Sequence, residues 1–587
     1  MAIILAPVFL KIACFILMIR YTSQNQLRLE GFKTPFEHTL LPSNRWVILA
    51  NVIPWDDLAR VYHRQMSADL GRGAVDTRLV IGALIVKHQL KLDDREVIAT
   101  LQENIYLQYF VGFSSFQTEE AFDASLFVTL RKRMGITEFD EWSQSVIAQI
   151  EALETAYNEK KANKDDKLDD KLDDKLDDKL DDKLDDKLDD KLDDKLDDKL
   201  DDKLDDKLDD KLDDKLDDKL DDKLDEPISL SDTLIIDTTA AEQKIKYPTD
   251  LGLLNDTRLF LEGTIDTFYQ VIVKHNKDNK DDSKVIIPID KPRDYRQVAR
   301  KEYLTLALKR RKSAKEIRRV NKKQLIYIER NTRYINELQA ILVENNLPIP
   351  FTKSTYEKWE TSQLIYSQQK GMIDKKTNTC ANRIVSLHQP HVRPIPRGKA
   401  GKNIEFGAKI ALSVVNKTNR IHKLSWDAYN DGVDLIGQVE AYKKQYNKYP
   451  KLVLADKIYL TKKNRDYLKQ HNIQHRGKAL GKSKAIKYTH TQQQEANQRN
   501  HVEGQFGTAK DAYGMSKVKA KTAPTSESWI ANTFFILNIV RLLKVATMAA
   551  QMILIAVAWI QAFFCRIKKY GLDTMNQKIK NQNYQIA

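Results

Sequence analysis

Apolar residues recur at helical spacing through the first quarter of the chain. The pattern is clearest in residues 78–90, 95–113 and 124–134, where apolar positions three and four residues apart form one stripe on each helix. Residues 21–160 are therefore predicted to form an all-α domain. Compact helices joined by tight turns suit a helix-turn-helix-like DNA reader. A packing domain without DNA contacts is the alternative, and the pattern leaves both interpretations open.

Short apolar runs alternate with helical periodicity in the second half of the chain. TLIID (233–237) and KLVLAD (451–456) are predicted buried strands, each ending in an aspartate. Strands that alternate with helices predict an α/β domain with a partly parallel sheet and helices on its faces. The other predicted strands cover 404–415, 422–429 and 473–478, and the predicted helices cover 431–446, 461–472 and 498–510.

A long basic helical stretch interrupts this order between the first and second strands, and we interpret it as an insertion. Its centre is LKRRKSAKEIRRVNKKQ (308–324). These helices carry more positive charge than packing requires, so we expect them to bind DNA phosphates. The residues expected to make these contacts are Lys309, Arg310, Arg311 and Lys312.

The pattern divides the chain into seven segments. In order, these are an apolar N-terminal extension (1–20), the helical DNA-binding-like domain (21–160), a KLDD low-complexity spacer (161–227), the first part of the α/β core (228–251), the basic helical insertion (252–400), the remainder of the core (401–544), and an apolar C-terminal helix with a polar tail (545–587).

Charge adds a polyanionic partner to this picture. The net charge is +13, although the KLDD repeat contributes about −1 per copy over roughly fourteen copies, so the remainder carries roughly +27. Identical charges face each other at every i,i+4 position of the repeat, and we therefore interpret it as a solvated spacer that is either mostly disordered or a strained helix. A chain this basic suits nucleic acid, and a generally basic soluble protein is the alternative.

The three cysteines, Cys14, Cys380 and Cys565, have no CxxC spacing. A disulfide framework and a cysteine zinc site are thereby disfavoured, which fits a reducing cytoplasm. The apolar segment 545–565 is long enough to span a bilayer. We favour a buried or oligomerising helix there, and a membrane span is the alternative.

Three acids stand out because of where they lie. Asp237 and Asp456 end predicted strands, whose carboxyl ends converge on one crevice of an α/β sheet. Glu503 lies on the last helix, with Arg499 and Lys510 on the same helical face. Three carboxylates suit Mg²⁺, and two such ions can clamp the oxygens of a phosphoryl displacement. An ordinary solvated face is the alternative for this helix alone.

Other candidate groups receive structural interpretations. We interpret Asp427, Asp431 and Asp434, which cluster after a predicted strand, as a turn and a helix cap. His388 and His391 resemble a zinc pair, but without cysteine or a further histidine at suitable spacing a DNA-facing or structural loop is favoured.

The sequence resembles bacterial insertion-sequence transposases with an RNase H-like DDE core, in the branch that includes the IS-four and IS-five groups. The order of strands and helices is that of such a core. In the family's last-helix signature, Arg499, Glu503 and Lys510 match, whereas the tyrosine position is Ala496. The matching segments are 121–135, 234–258, 385–410, 454–468 and 499–514.

The resemblance implies an enzyme that binds element ends and catalyses metal-dependent cleavage and strand transfer of double-stranded DNA, with no small-molecule substrate. Asp237, Asp456 and Glu503 would hold two Mg²⁺ or Mn²⁺ ions, and Arg499 and Lys510 would steady phosphates. It also implies a homodimer on DNA, in the cytoplasm. Alternatives are a non-transposing nuclease of the same core, a catalytically decayed DNA-binding relic, and an integral membrane protein.

Overall fold

The computed structural model describes residues 39–66, 74–165, 228–279, 286–399, 402–477 and 488–551. The predictions for residues 1–20, for the KLDD spacer beyond Asp165 and for the chain after Gln551 lie outside the described residues.

The N-terminal region is helical, as the periodicity predicts. One predicted helix, 95–113, is wrong, because two helices replace it: the side chain of Asn104 accepts hydrogen bonds from the N–H groups of Tyr106 and Leu107 and so starts a new helix. The helices are α1 (Arg45–Val52), α2 (Trp55–His63), α3 (Thr77–Gln89), α4 (Asp94–Glu103), α5 (Ile105–Val111), α6 (Leu126–Arg133) and α7 (Ile136–Asp165).

A mixed sheet forms the centre of the second region. Its order is β2-β3-β1-β5-β6, and β4 also pairs with β3. β1 runs antiparallel to β3 and parallel to β5, and β5 is parallel to β6, so the partly parallel sheet is confirmed. The strands are β1 (Thr233–Glu242), β2 (Arg393–Lys399), β3 (Lys402–Val415), β4 (Thr418–Ser425), β5 (Leu452–Ala455) and β6 (Gln474–Arg476).

The predicted set of strands needs three corrections. β1 continues past Asp237 to Glu242, because β3 pairs with it along its whole second half. β2 was not predicted, and it pairs with the first half of β3 while β4 pairs with the second half. The predicted strand 422–429 begins earlier, at Thr418, and ends at Ser425.

Helices cover both faces of the sheet. Leu234 and Ile236 of β1 pack with α12 (Leu435–Tyr446), whereas Ile235 packs with α15 (Asn500–Asp511). This alternation is that of a strand buried on both sides. The other helices that follow β5 along the chain are α13 (Lys462–Gln470), α14 (His490–Asn497) and α16 (Ala523–Gln551).

Four helices of the insertion pack on one another. Leu261 and Phe268 of the first helix meet Ile335 and Leu338 of the third in a fully buried apolar cluster. The insertion therefore has a core of its own in addition to its basic surface. Its helices are α8 (Asp250–Asp278), α9 (Arg296–Ala307), α10 (Ala314–Glu344) and α11 (Lys353–Asp374).

Helix α16 lies in two hydrophobic cores at once. Phe535 and Ile539 pack with the N-terminal helices, and Phe534 packs with the sheet and α15. Within the described residues α16 alone is long and apolar enough to cross a membrane, and 56% of its most apolar window is buried inside the protein. Val545 and Ala546, the first residues of the predicted apolar segment 545–565, are buried, which favours the buried-helix interpretation for them.

Helix α7 covers the edge strand β4. Arg420 of β4 donates two hydrogen bonds to the carboxylate of Asp140 on α7, from Nε and from Nη2, each at 3.0 Å. Glu154, further along α7, accepts a hydrogen bond from Arg541 of α16 at 2.6 Å. These contacts bind the helical region to the sheet.

Candidate active site

The register of the sheet brings two of the three predicted acids together. The last parallel pair of β1 and β5 is Ile236 with Ala455, so Asp237 and Asp456 follow on neighbouring strands whose backbones lie about 5 Å apart. Ile235 and Leu454, two residues earlier on each strand, both pack under α15. Because side chains alternate along a strand, Asp237 and Asp456 project toward α15 as well.

Helix α15 carries the third acid across this face. Val502 and Phe506 are buried against the sheet, which holds Glu503 above it with its side chain 58% exposed. Arg499 precedes the helix as its N-cap residue with helical backbone angles. Its guanidinium lies 3.3 Å from Glu503 and 3.7 Å from Asp237. The predicted common face of Arg499 and Glu503 is therefore confirmed, and this arginine links two of the acids.

Burial and the surrounding charges act on the carboxyl group of Asp237. Burial raises the pKa of the Asp237 carboxyl, and the nearby charges of Asp456 and Glu503 raise it further. The N–H of Thr238, which donates to Asp237 at 2.7 Å, and the charge of Arg499 oppose that rise. Asp456 is more exposed and accepts a hydrogen bond from the N–H of Lys457 at 2.7 Å.

A metal fit rests on the donor chemistry of these side chains. Among the described residues no group of three or more His, Cys, Asp or Glu side chains is arranged to hold a metal ion. Arg499 bridges Asp237 and Glu503, and the Asp456 carboxylate turns to its own backbone. The carboxylates of Asp237 and Asp456, on adjacent strands, are nevertheless the kind of oxygen donor that a hard divalent cation prefers.

The other predicted site residues make none of the described ion pairs with the three acids. Lys510 is in the last turn of α15, seven residues after Glu503 and therefore roughly 10 Å further along the axis. The four basic residues predicted as helical, Lys309–Lys312, lie instead in an exposed link between α9 and α10, and Lys309 pairs with Glu316.

Several residues near the site have roles that the sequence did not reveal. Tyr459 is fully buried three residues after Asp456, and its pKa is raised by burial and by the charges of Asp431 and Asp237. Asp431 pairs with the buried Lys409. Asp434 is the N-cap residue of α12, as predicted, but its side chain makes no capping hydrogen bond and lies 3.5 Å from Lys423 instead.

His391 belongs to the packing of its loop. Its ring meets Trp426 edge to face at 4.4 Å, and burial with the nearby Arg393 lowers its pKa to about 4. Neither His391 nor His388 belongs to a metal-holding group among the described residues.

Comparison with known proteins assigns the two regions to transposase domains. The family model described as "Transposase domain (DUF772)" matches residues 35–133, and the model described as "Transposase DDE domain" matches residues 453–540. The second match contains Asp456, Arg499, Glu503 and Lys510. Residues 35–133 and 453–540 are thus similar to transposase domains, and the two matches together indicate an insertion-sequence DDE transposase.

The chain is also similar to a curated protein from Rhizobium meliloti, named "Uncharacterized protein ORF8 in nfe locus". The two are 37% identical over 113 residues, which are 19% of this chain and 53% of the relative. The chain thus spans about half the length of this relative. No solved structure matches the chain.

Proposed function

We propose that this transposase binds the ends of its insertion sequence and catalyses metal-dependent DNA cleavage and strand transfer. The observation that carries the proposal is the placement of Asp237 and Asp456 directly after the last paired residues of two parallel strands, with Arg499 3.7 Å from Asp237 and 3.3 Å from Glu503. Three convergent carboxylates beside an arginine suit a centre that must hold both cations and a DNA phosphate.

The strand order supports an RNase H-like core. The path β4-β3-β1-β5-β6, with β1, β5 and β6 parallel and β3 antiparallel, runs through the described sheet. It matches the order of strands and helices on which the family resemblance rests. The basic insertion enters this core after β1 and before β2.

The residues of the proposed centre have distinct tasks. Asp237 and Asp456 would share the cations, and Glu503 would complete one site after leaving its contact with Arg499. When bound, two Mg²⁺ or Mn²⁺ ions would activate a water or a 3′-hydroxyl and stabilise the leaving oxygen. Arg499, released from the carboxylates, would bind a phosphate oxygen of the scissile strand. Lys510 would contact a phosphate further along the strand.

The nicking assay tests this centre directly. Candidate element-end DNA is incubated with Mg²⁺ or Mn²⁺ and with the full chain or its Asp456→Asn variant. We expect metal-dependent nicking and strand joining that Asp456→Asn abolishes while DNA binding persists. Asp466→Asn, at an exposed position on α13, is the matched control and should cut normally. Cutting without joining would favour a nuclease, and binding without cutting a decayed relic.

The insertion is proposed to hold the element end by its phosphates. The Lys309–Lys312 link is exposed, and α10 extends its charge with an exposed stripe at i, i+3, i+4 and i+7 formed by Lys315, Arg318, Arg319 and Lys322. Neutralising the link should weaken duplex binding and reduce the salt slope by about one per lost phosphate contact. Gel shifts across salt concentrations measure this, with Lys443 and Lys444 on α12 neutralised as the control.

The proposal includes a homodimer, because two element ends must be processed together. It also places the protein in the cytoplasm. Neither the dimer nor the location is needed for the nicking assay.

A further inference from the structure

A large cleft lies where the insertion meets the sheet, apart from the three acids. Its volume is about 540 Å³, which is within the range of pockets that hold a nucleotide-sized ligand. Five parts of the chain converge on it: the link from β1 to α8, the start of α8, the first turns of α11, residues 385–390, and the residues just before α16.

The side chains of the cleft combine an apolar floor with a cationic rim. Leu253, Val385 and Leu387 are buried and line it. The charged lining residues are four lysines against two acids, so lysine is in excess: Lys244, Lys246, Lys358 and Lys521 face Asp256 and Glu357. Lys246 lies 3.5 Å from Asp256, which leaves the positive charge mainly with the other three lysines.

Tyr247 is the unusual member of this lining. Its side chain is 76% exposed although it is large and aromatic. Phe406 of β3 supports the ring edge to face at 5.8 Å, so the ring is held at the cleft rather than lying free on the surface. An exposed, supported aromatic ring among lysines is the arrangement on which unpaired bases stack.

The position of the cleft connects it to the proposed catalytic centre. β1 runs from Asp237 to Glu242, and the cleft residues Lys244 and Tyr247 follow its end. At about 3.3 Å per residue the chain between Asp237 and these two residues spans at most roughly 20–35 Å, which is about six to ten steps of a B-form strand. A DNA strand that passes the acids can therefore reach the cleft.

We propose that this cleft binds unpaired nucleotides of single-stranded DNA, with a base stacked on Tyr247 and the phosphates held by Lys244, Lys358 and Lys521. The choice of DNA over other anions rests on the proposed function. A base offers two flat apolar faces and its phosphate one negative charge, and the cleft offers an apolar floor, a ring and an excess of lysine.

Binding of a fluorescent oligo-dT of about a dozen nucleotides tests the proposal. The full chain carries Asp456→Asn and the buffer contains EDTA, so that neither cleavage nor metal contributes. Tyr247→Ala should weaken single-strand binding on the order of tenfold or more, while Tyr247→Trp restores it. Duplex binding should not change. Tyr157→Ala on α7, outside the cleft, should leave both affinities unchanged.

Neutralising Lys358 and Lys521 should lower the salt dependence of single-strand binding by about one unit each, whereas Lys444→Ala should not. Equal oligo-dT affinity in the Tyr247→Ala variant overturns the proposal, as does an equal loss for single-stranded and duplex DNA. The nicking assay is a separate readout. Tyr247-dependent binding without nicking would defeat the catalytic proposal alone, and nicking without Tyr247-dependent binding would defeat this one alone.

Discussion

At the scale of single residues, Asp237 is a carboxyl group whose surroundings oppose its charge. Burial and the acids around it raise its pKa. The folded state therefore binds its proton more tightly than the unfolded state does. The resulting cost to stability is absent at low pH and grows as the pH rises through the raised pKa. A cation bound beside Asp237 would remove this cost.

This balance gives a signed prediction for Asp237→Asn. At neutral pH the variant should be more stable than the wild type, and the difference should shrink as the pH falls and the wild-type carboxyl takes up its proton. Mg²⁺ should stabilise the wild type, by about 2.7 kcal/mol at one hundred times its Kd, and the variant much less. Thermal melts across pH, with and without Mg²⁺, measure both effects. Equal stabilisation of the two proteins by Mg²⁺ would contradict a cation site at Asp237.

His88 gives the opposite dependence on pH. Burial, with help from the charges of Lys87 and Arg131, lowers its pKa to about 3. The imidazole is neutral in both states above pH 6.5, so its contribution is complete there and is lost as the pH falls toward 3. By pH 4 the loss is roughly 3 kcal/mol. His88→Phe, which keeps an aromatic ring against Trp529, should lose less stability between pH 6.5 and 4 in urea titrations. Parallel losses in the two proteins would count against this origin of acid sensitivity.

At the scale of elements, Gly407 shows how closely β1 and β3 approach. A Cβ at this position would lie 1.8 Å from the carbonyl oxygen of Ala241, and backbone cannot move away cheaply. Gly407→Ala should therefore separate the strands near the end of β1 and cost several kcal/mol, about the range of severe core defects. Gly507→Ala is the matched control, because nothing lies within 4 Å of its position on exposed α15. It should stabilise the protein by about 0.5–1 kcal/mol. Denaturant unfolding measures the free energy of unfolding of both variants. A small loss in Gly407→Ala would show that the approach of β1 to β3 is not tight.

The sequence predicts most helices and strands, because their signals lie within short stretches of neighbouring residues. The helices of 78–90 and 431–446 and the strand of 451–456 follow from periodicity and from runs of apolar residues. The periodic pattern predicts a helical position for Asn104, because its role as a cap depends on which backbone N–H groups its side chain accepts hydrogen bonds from. β2 was not predicted because it depends on pairing with β3, and the sequence of residues 393–399 alone carries no periodic signal for that pairing.

The site was predictable to a similar degree. Asp456 follows its strand directly, and the spacing of four places Glu503 beside Arg499, so these placements were open to sequence reasoning. The bridge from Arg499 to Asp237 joins residues more than 250 positions apart, and the cleft around Tyr247 joins five separate segments. Contacts of this kind leave no periodic trace, so only the folded chain brings them into view.

At the scale of the whole molecule, α16 makes one structure of two regions. Its residues belong both to the core of the N-terminal helices and to the core under α15. The insertion differs, because its largest apolar cluster contains only residues of the insertion itself. The helical region and the sheet should therefore lose their structure together, while the insertion can lose its own separately.

Two buried truncations test this division. Phe535 of α16 is fully buried against Phe139 and Trp142, and Phe535→Ala should cost about 3–5 kcal/mol. Ile335 of α10 is fully buried in the insertion core, and Ile335→Ala should cost about 2–5 kcal/mol. Hydrogen exchange followed by mass spectrometry should then show faster exchange in both the helical region and the sheet for Phe535→Ala, and in the insertion alone for Ile335→Ala. Both substitutions leave a cavity in a buried apolar core. A difference in which regions exchange faster would therefore come from where each helix packs. Loss confined to the N-terminal helices in Phe535→Ala would mean that α16 does not join the two cores, and the transposase would then consist of independently stable parts.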